Sequence, residues 1–577
     1  MSESMVRVFL RTCPGDNNKE RPDWYSKGTC VRSLLGAVDA LRASGVAVET
    51  TMVVDTSSGK ALDADVADLA PDFDHLIEVK GGNNRTSLRA FYRSLPFDDY
   101  EDDDLLYFVE DDHLHRRDAL LTLTTGTAEY RFLYSFAPHH GEPEPGEGWR
   151  AVPGGTSSYG VQVAACRRDH LWHLLMLNGG GAWDELTYRA IGANAFRDGW
   201  EYVVRPFHPD NLFPHRSKLG SLRHSVARAV AETARRTRRT PATIECYVPN
   251  PACHAETAVM TDHADWAVVA TPYLPEPATA PEPTVTLVLP VLNGADYLEE
   301  TVDAIRAQTR EDWRLLIVDD VSTDDTVAIA TRYAAEDPRI RLVRMRDNTR
   351  KRGASAVGFA LATTEYAMEA NADDVLHPDA LEKLLAPLEQ DPTLAASFGG
   401  HRNVDSIGRE LTEYGDVIAE YTGRAGLSEG RAPGIRRLQI SRGTIPAGTA
   451  ATLRRTAIGA IPTYTNTHTD FWLGWQAART DAVCYCGERI ADYRVHGGNT
   501  LRAMFRRKKA RDRMHMYLAI ARESHRDELL PIARKLVDNG IIAVFGPLAG
   551  RRFAAQAKEL SQAPATDETL ETVGSPE

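Results

Sequence analysis

Residues 271–284 read TPYLPEPATAPEPT, and the five prolines there hold the backbone extended and forbid a helix or a central strand. This spacer divides the chain in two, and each half opens alike. In the first, Val6 to Leu10 and Val48 to Val54 are short apolar runs flanking a helical pattern from Val31 to Leu41. In the second, Val285 to Val291 and Trp313 to Val318 flank a helical pattern from Tyr297 to Ala307. Strand, helix, strand at this spacing predicts parallel βαβ units, so the fold class is α/β with mostly parallel sheets. At 577 residues the chain also exceeds what a single core fills, which suits two domains.

The parallel between the halves continues as landmarks in one order. An acid ends the second strand of each, Asp55 in one and Asp319-Asp320 in the other. An acidic cluster follows a later strand, Glu110-Asp111-Asp112 against Asn371-Ala372-Asp373-Asp374. Then come paired arginines, Arg167-Arg168 and Arg454-Arg455. An acid beside an aromatic follows, Trp183-Asp184-Glu185 and Thr469-Asp470-Phe471. Last is an arginine with a histidine, Arg205 with His208 and Arg494 with His496. This order predicts a diverged duplication of one fold, with an insertion near 400–440 in the second copy.

Charge and composition narrow the partners. The net charge of −14 argues against a nucleic-acid ligand, since phosphate binding draws on a cationic surplus. No run reaches the ~20 apolar residues of a membrane span, and Met1 leads directly toward a strand rather than a signal core, so the expected location is cytoplasmic. Seven cysteines fit a reducing compartment. Cys246, Cys253 and His254 with Cys484 and Cys486 match no zinc spacing, and small buried residues are the expectation for them.

The second half resembles the inverting glycosyltransferases of family 2, which have the nucleotide-sugar-binding GT-A fold. The residues carrying the resemblance are Leu289-Pro290-Val291-Leu292-Asn293, Gln308, the run Val318-Asp319-Asp320-Val321-Ser322-Thr323-Asp324-Asp325-Thr326, Asn371 to Asp374 with Pro378, Asp470, and Tyr493-Arg494-Val495-His496. The resemblance implies a nucleotide-sugar donor contacted by Pro290, Asn293, Asp319, Asp320 and Asn371, with Asp320 accepting a hydrogen bond from the base. It implies Mn²⁺ or Mg²⁺ at Asp373, Asp374 and His496, and Asp470 as the base that deprotonates the acceptor. Asn371 stands where the family has an Asp, and Thr469 where it has an acid. The basic run Arg344, Arg346, Arg350, Lys351 and Arg352 either meets the diphosphate or is solvated.

The first half resembles the same superfamily through Arg11, Asp55, Asn83-Asn84, Glu110-Asp111-Asp112 and Asp184. The resemblance implies donor contacts at Arg11, Asp55 and Asn83, a cation at Glu110, Asp111 and Asp112, and catalysis by Asp184. His113 and His115 are further candidate ligands. Two tandem GT-A domains are therefore expected at 1–270 and 285–500, followed by a basic helical extension at 501–560 and a disordered tail at 561–577. The expected protein is a bifunctional transferase of polysaccharide or glycoconjugate assembly, acting on a glycan, lipid-linked or small-molecule acceptor. Arg502, Arg506, Arg507, Lys508, Lys509, Arg511 and Arg513 either touch the inner face of the membrane or pack as a solvated helix. A single transferase with an acceptor-binding first domain, and a binding scaffold, stay open as alternatives.

Overall fold

The structure is a computed structural model that describes residues 4–15, 19–134, 147–152, 158–177, 187–188, 190–192, 226–227, 229–231, 233–234, 240–257, 263–275, 283–448, 450–465, 468–496, 507–525 and 528–545. The chain divides into two compact units, 1–279 with 343–347, and 280–342 with 348–577.

In the first unit, β1 (Val6–Thr12), β2 (Val48–Asp55), β3 (His75–Val79) and β4 (Leu105–Glu110) are parallel. The helix after β1 runs Lys27–Ala43, starting earlier than its apolar pattern because the Ser26 side chain caps it by accepting the Thr29 N–H. The short β5 (His113–His115) follows β4. Then come β6 (Tyr130–Phe132), β7 (Gly148–Ala151), β8 (Tyr159–Gln162), β9 (Ile244–Val248) and β10 (Ala252–His254). The sheet order is β3-β2-β1-β4-β8-β6-β9-β7, and β5 pairs β10 apart from it. Aromatic rings dominate this core, with Phe9, Phe91, Phe108, Tyr130 and Tyr159 all buried.

The second unit repeats the plan. β11 (Val285–Val291) lies between β12 (Trp313–Asp319) and β14 (Tyr366–Glu369), both parallel to it, and β13 (Ile340–Arg344) flanks β12. β15 (Val375–Leu376), β16 (Ala396–Val404), β17 (Gly430–Arg431), β18 (Ala451–Arg454) and β19 (Val483–Arg494) follow, giving the order β13-β12-β11-β14-β18-β16-β19-β15 with β17 on β19. β11 is buried along its whole length, as a strand covered on both faces must be. Pro290 is tolerated near its end because the ladder to β14 stops at Val288↔Glu369, leaving no donor to lose on that side. Helices Arg507–Arg522 and Leu529–Phe545 pack together within this unit. Arg513 in the first of them is buried and donates to Asn539, so it packs inward rather than facing a membrane. The side chains of 501–510 lie outside the described residues. Among the described residues no helix is long and apolar enough to cross a membrane.

Strand register tests the duplication residue by residue. Setting Val6 on Val285 carries Val48 to Trp313 and Leu105 to Tyr366. Asp55 then falls on Asp320, Glu110 on Asn371, and Asp112 on Asp373. The paired arginines and the arginine with histidine do not match. The antiparallel pairs set Gln162 on Arg454, so Arg167-Arg168 lie beyond the counterpart of Arg454-Arg455. The counterpart of β19 is β9 with β10, well after Arg205 and His208, which themselves lie outside the described residues.

Gly358 on helix Arg350–Leu361 fixes how closely that helix approaches the sheet, since an added Cβ would lie 2.3 Å from the Val288 side chain on β11. Gly358→Ala is expected to destabilise the second unit by about 1–3 kcal/mol through overpacking. Urea unfolding would register it as a lower midpoint at unchanged slope.

Candidate active site

In the second unit the chain leaves β11 and β12 at adjacent carboxyl ends, and these two loops are laced together. Asn293 adopts φ 52°, a left-handed conformation that Asn tolerates well. Its N–H donates to Ser322 Oγ at 2.9 Å, and its Oδ1 accepts the Thr323 N–H at 2.8 Å. The Gly294 and Ala295 N–H groups donate to Thr326 Oγ1 and Asp324 Oδ2. Asp319 is buried and accepts the Ser322 N–H, so it shapes the turn. Between them Val321 sits at φ 71°, a strained conformation for a β-branched residue.

Asp320 is the acid this turn presents. Its Oδ1 accepts the Thr349 N–H at 2.7 Å and the Thr349 hydroxyl at 3.0 Å. Its Oδ2 is buried without a hydrogen-bond partner among the described residues. Burial pushes this carboxyl above the usual range, against the hydrogen bonds from Thr349. Pro290, one strand over, is buried and supports this edge from within the sheet. Gln308 donates to the Ala304 and His377 carbonyls and accepts the Leu381 N–H, a purely architectural set of bonds.

The turn after β14 carries the acidic cluster. Asp374 faces inward, accepting the Arg494 N–H at 3.0 Å and the Asn371 side-chain N–H at 2.8 Å. It therefore serves the turn rather than joining the cation set expected with Asp373 and His496. Asp373 points outward, and its Oδ2 lies 2.9 Å from His496 Nε2, whose ring packs on Tyr297. Arg494 is buried and holds this turn by donating to the Asp373 and Ser406 carbonyls and to Glu300. The Thr301 hydroxyl reaches the Ala372 and Asp374 carbonyls from the opposite side. Among the described residues no cluster of three His, Cys, Asp or Glu side chains is arranged to hold a metal. The Asp373–His496 pair nonetheless fits a Mn²⁺ or Mg²⁺ ion that completes its shell with substrate phosphates and water.

Asp470 lies in the first turn of helix Thr469–Ala478 with its side chain 54% exposed. Lys351, singled out in the sequence only as part of a basic run, joins it to the turn. The Lys351 ammonium lies 2.7 Å from Asn371 Oδ1, 2.9 Å from Glu369 Oε1 and 3.2 Å from Asp470 Oδ1. Desolvation would raise the Asp470 pKa, but Lys351 and the local backbone hold it below the usual range. Glu369, fully buried at the end of β14, is pushed up by burial against Lys351 and also accepts the Ser355 hydroxyl. An added Cβ at Gly448 would lie 3.4 Å from both Asn371 and Asp470. Glu369 and Gly448 escaped the sequence reading, which had Lys351 only within a basic run and Arg494 only beside His496, because nothing in residue spacing shows which charges converge.

The first unit uses its acids differently. Glu110 pairs with Arg11. Asp111 accepts the Thr12 hydroxyl and pairs with Lys27 at 3.2 Å. Burial, opposed by Lys27, pushes the Asp111 carboxyl up to about 6. Asp112 Oδ2 meets His254 at 2.8 Å and Arg21 at 3.3 Å, while His113 meets Oδ1. Desolvation would raise Asp112, but His254 and His113 hold it well below the usual range. Each acid expected to hold a cation is thus already met by protein cations, and no ligand cluster is assembled among the described residues. His115 is buried against the Tyr107 hydroxyl and lowered by desolvation to about 3. Asp55 accepts the Ser57 and Gly81 N–H groups, and Asn83 caps the next helix by accepting the Thr86 N–H. Asp184 lies outside the described residues. All seven cysteines are free thiols.

Residues 286–461 match Glycosyl transferase family 2, and the second unit contains a domain of that family. A chondroitin synthase of Pasteurella multocida is 32% identical over 126 residues, 22% of this chain and 13% of that protein. The putative teichuronic acid biosynthesis glycosyltransferase TuaG of Bacillus subtilis is 32% identical over 133 residues, 23% of this chain and 52% of that protein. The chain thus spans about half the length of the second relative and far less of the first. Among solved structures, S. aureus TarS residues 1–349 align with 45% of this chain and 72% of theirs, at 12% identity and a TM-score of 0.35.

Arg494 leaves several acceptors without a donor if removed. Arg494→Met is expected to cost about 1–3 kcal/mol and to speed hydrogen exchange through residues 371–374. Exchange mass spectrometry with unchanged protection of that turn would refute its clamping role.

Proposed function

We propose that the second unit transfers a sugar from a nucleotide-sugar donor, a UDP-sugar, to a hydroxyl of a glycan or glycoconjugate acceptor with inversion. One contact carries this reading. The Lys351 ammonium bonds both Asn371 in the turn after β14 and Asp470 on its helix, so the base candidate and the donor turn share a crevice. Such a crevice at the carboxyl ends of parallel strands is where α/β sheets take nucleotides. Asp320, with its unpartnered Oδ2, offers an acceptor for a nucleobase N–H. Asp373 and His496 would hold the Mn²⁺ or Mg²⁺ ion, which when bound neutralises the diphosphate as it leaves.

In the transfer, the acceptor oxygen attacks the anomeric carbon as the bond from that carbon to the diphosphate oxygen breaks. The hydroxyl proton passes to Asp470, which Lys351 keeps ionised. The named relatives, a chondroitin synthase and a teichuronic acid biosynthesis glycosyltransferase, support a role in polysaccharide assembly.

A second reading, a bifunctional chain, is favoured by one observation. Register sets Asp112 on Asp373, and Asp112 meets His254 at 2.8 Å much as Asp373 meets His496 at 2.9 Å. The ion pairs that already engage Glu110, Asp111 and Asp112 favour a companion domain instead. Mass spectrometry of products from an Asp112→Ala chain separates the two, since an unchanged product assigns all transfer to the second unit.

The main reading is tested by nucleoside diphosphate release from UDP-glucose, UDP-N-acetylglucosamine, UDP-glucuronic acid and GDP-mannose with Mn²⁺. Asp470→Asn is expected to slow release by about 10²–10⁴-fold while UDP binding persists. Asp373→Ala and chelation of the metal should instead weaken UDP binding itself. Equal loss of UDP affinity in both variants would remove Asp470 from the role of base.

A further inference from the structure

A cation between two carboxylates at the floor of the crevice is a departure that the resemblance to family 2 did not announce. The Lys351 ammonium has three N–H donors and three oxygens around it, from Asn371, Glu369 and Asp470, at 2.7, 2.9 and 3.2 Å. Those three oxygens belong to the turn after β14, the end of β14, and the helix Thr469–Ala478. Glu369 is fully buried and anchored through Ser355 on the same helix as Lys351, so the ammonium has a fixed base beneath it. Asp470 engages Lys351 through Oδ1.

Resting on the proposed transferase reading, we infer that Lys351 is a positioning residue that fixes the Asp470 carboxylate against the donor turn, with Glu369 as its buried counter-charge. Asn371 belongs to the same arrangement. A carboxylate in its place would add a third negative charge around one ammonium, whereas the amide oxygen accepts the same hydrogen bond without one. The neutral residue is then the partner of the lysine.

Charges acting on Asp470 among the described residues are Lys351, Glu369 from β14, and His468 just before the helix. Removing the ammonium leaves Glu369 and Asp470 facing each other as like charges, which raises the pKa of one of them. The sign follows directly. Wild type holds Asp470 ionised at lower pH than an ordinary carboxylate, and activity needing the ionised form persists there. Lys351→Met moves the acid limb of the pH–rate profile upward.

The test uses the full chain with whichever of the four donors above releases its nucleoside diphosphate fastest. Lys351→Met is expected to lower kcat by about 10–100-fold with donor KM changed less than about threefold, and to raise the acid limb by about 1–2 pH units. Adding Glu369→Gln to that variant should bring the limb back down, because the like charge is gone. Lys351→Arg should recover part of kcat. A merely structural lysine would not give a limb that moves up and then down. Wild-type kcat and profile in Lys351→Met, or a limb that the second substitution does not move, overturns the inference. If Asp470→Asn keeps wild-type transfer, or wild type releases no nucleoside diphosphate from any donor, the transferase reading beneath it falls instead.

Discussion

The geometry of the second unit's crevice depends on how one buried guanidinium holds an irregular turn. After β14 the chain leaves the sheet, and the backbone from Asn371 to Asp374 has no ladder to satisfy it. Arg494, carried in on the last residue of β19, donates to the Asp373 and Ser406 carbonyls and to Glu300, while its own N–H goes to Asp374. With Thr301 on the other side, the turn is fixed from two elements far apart in sequence. Asp374 is consumed in this arrangement, and that is what leaves Asp373 turned outward beside His496.

The two units show how one framework can carry two electrostatic solutions. Their sheets share the order of the first four strands, and the register among β1, β2 and β4 is that among β11, β12 and β14. In the second, Asp373 stays turned outward beside His496, and the buried Asp320 keeps one oxygen without a hydrogen-bond partner among the described residues, while Asp374 and Asp319 are taken up by the turns. In the first, Arg11, Arg21, Lys27 and His254 occupy the acids directly. Arg21 and Lys27 come from the long segment after β1 and from the first residue of the following helix. That segment is therefore the source of the cations that meet Asp111 and Asp112.

Much of this was legible in the sequence, and for identifiable reasons. Short, mostly apolar runs located β1, β2, β11 and β12 within a residue or two, and only β11 is buried along its whole length. Asp55 was set against Asp319-Asp320, and register narrows the match to Asp320, since strand length fixes how far the acid lies from the strand start. The arginine and histidine landmarks failed because the stretch from β8 to β9 is much longer than that from β18 to β19, and counting residues along a chain does not measure distance across a sheet. Lys351 was hidden for another reason. Six basic or polar neighbours from Asp347 to Arg352 look alike in sequence, and only the fold decides which one turns toward Glu369 and Asp470.

The lacing of the loops after β11 and β12 has an energetic consequence. Asn293, Ser322, Thr323, Thr326 and Asp324 bond to one another or to neighbouring backbone. Even the left-handed Val321 is held in place by this mesh. Ordering a free loop costs about 1–2 kcal/mol per residue in lost backbone freedom, and here that loss is incurred during folding rather than on encounter. Whatever docks on this edge meets a rigid template, so its affinity depends on the quality of its contacts and little is spent on remodelling the protein.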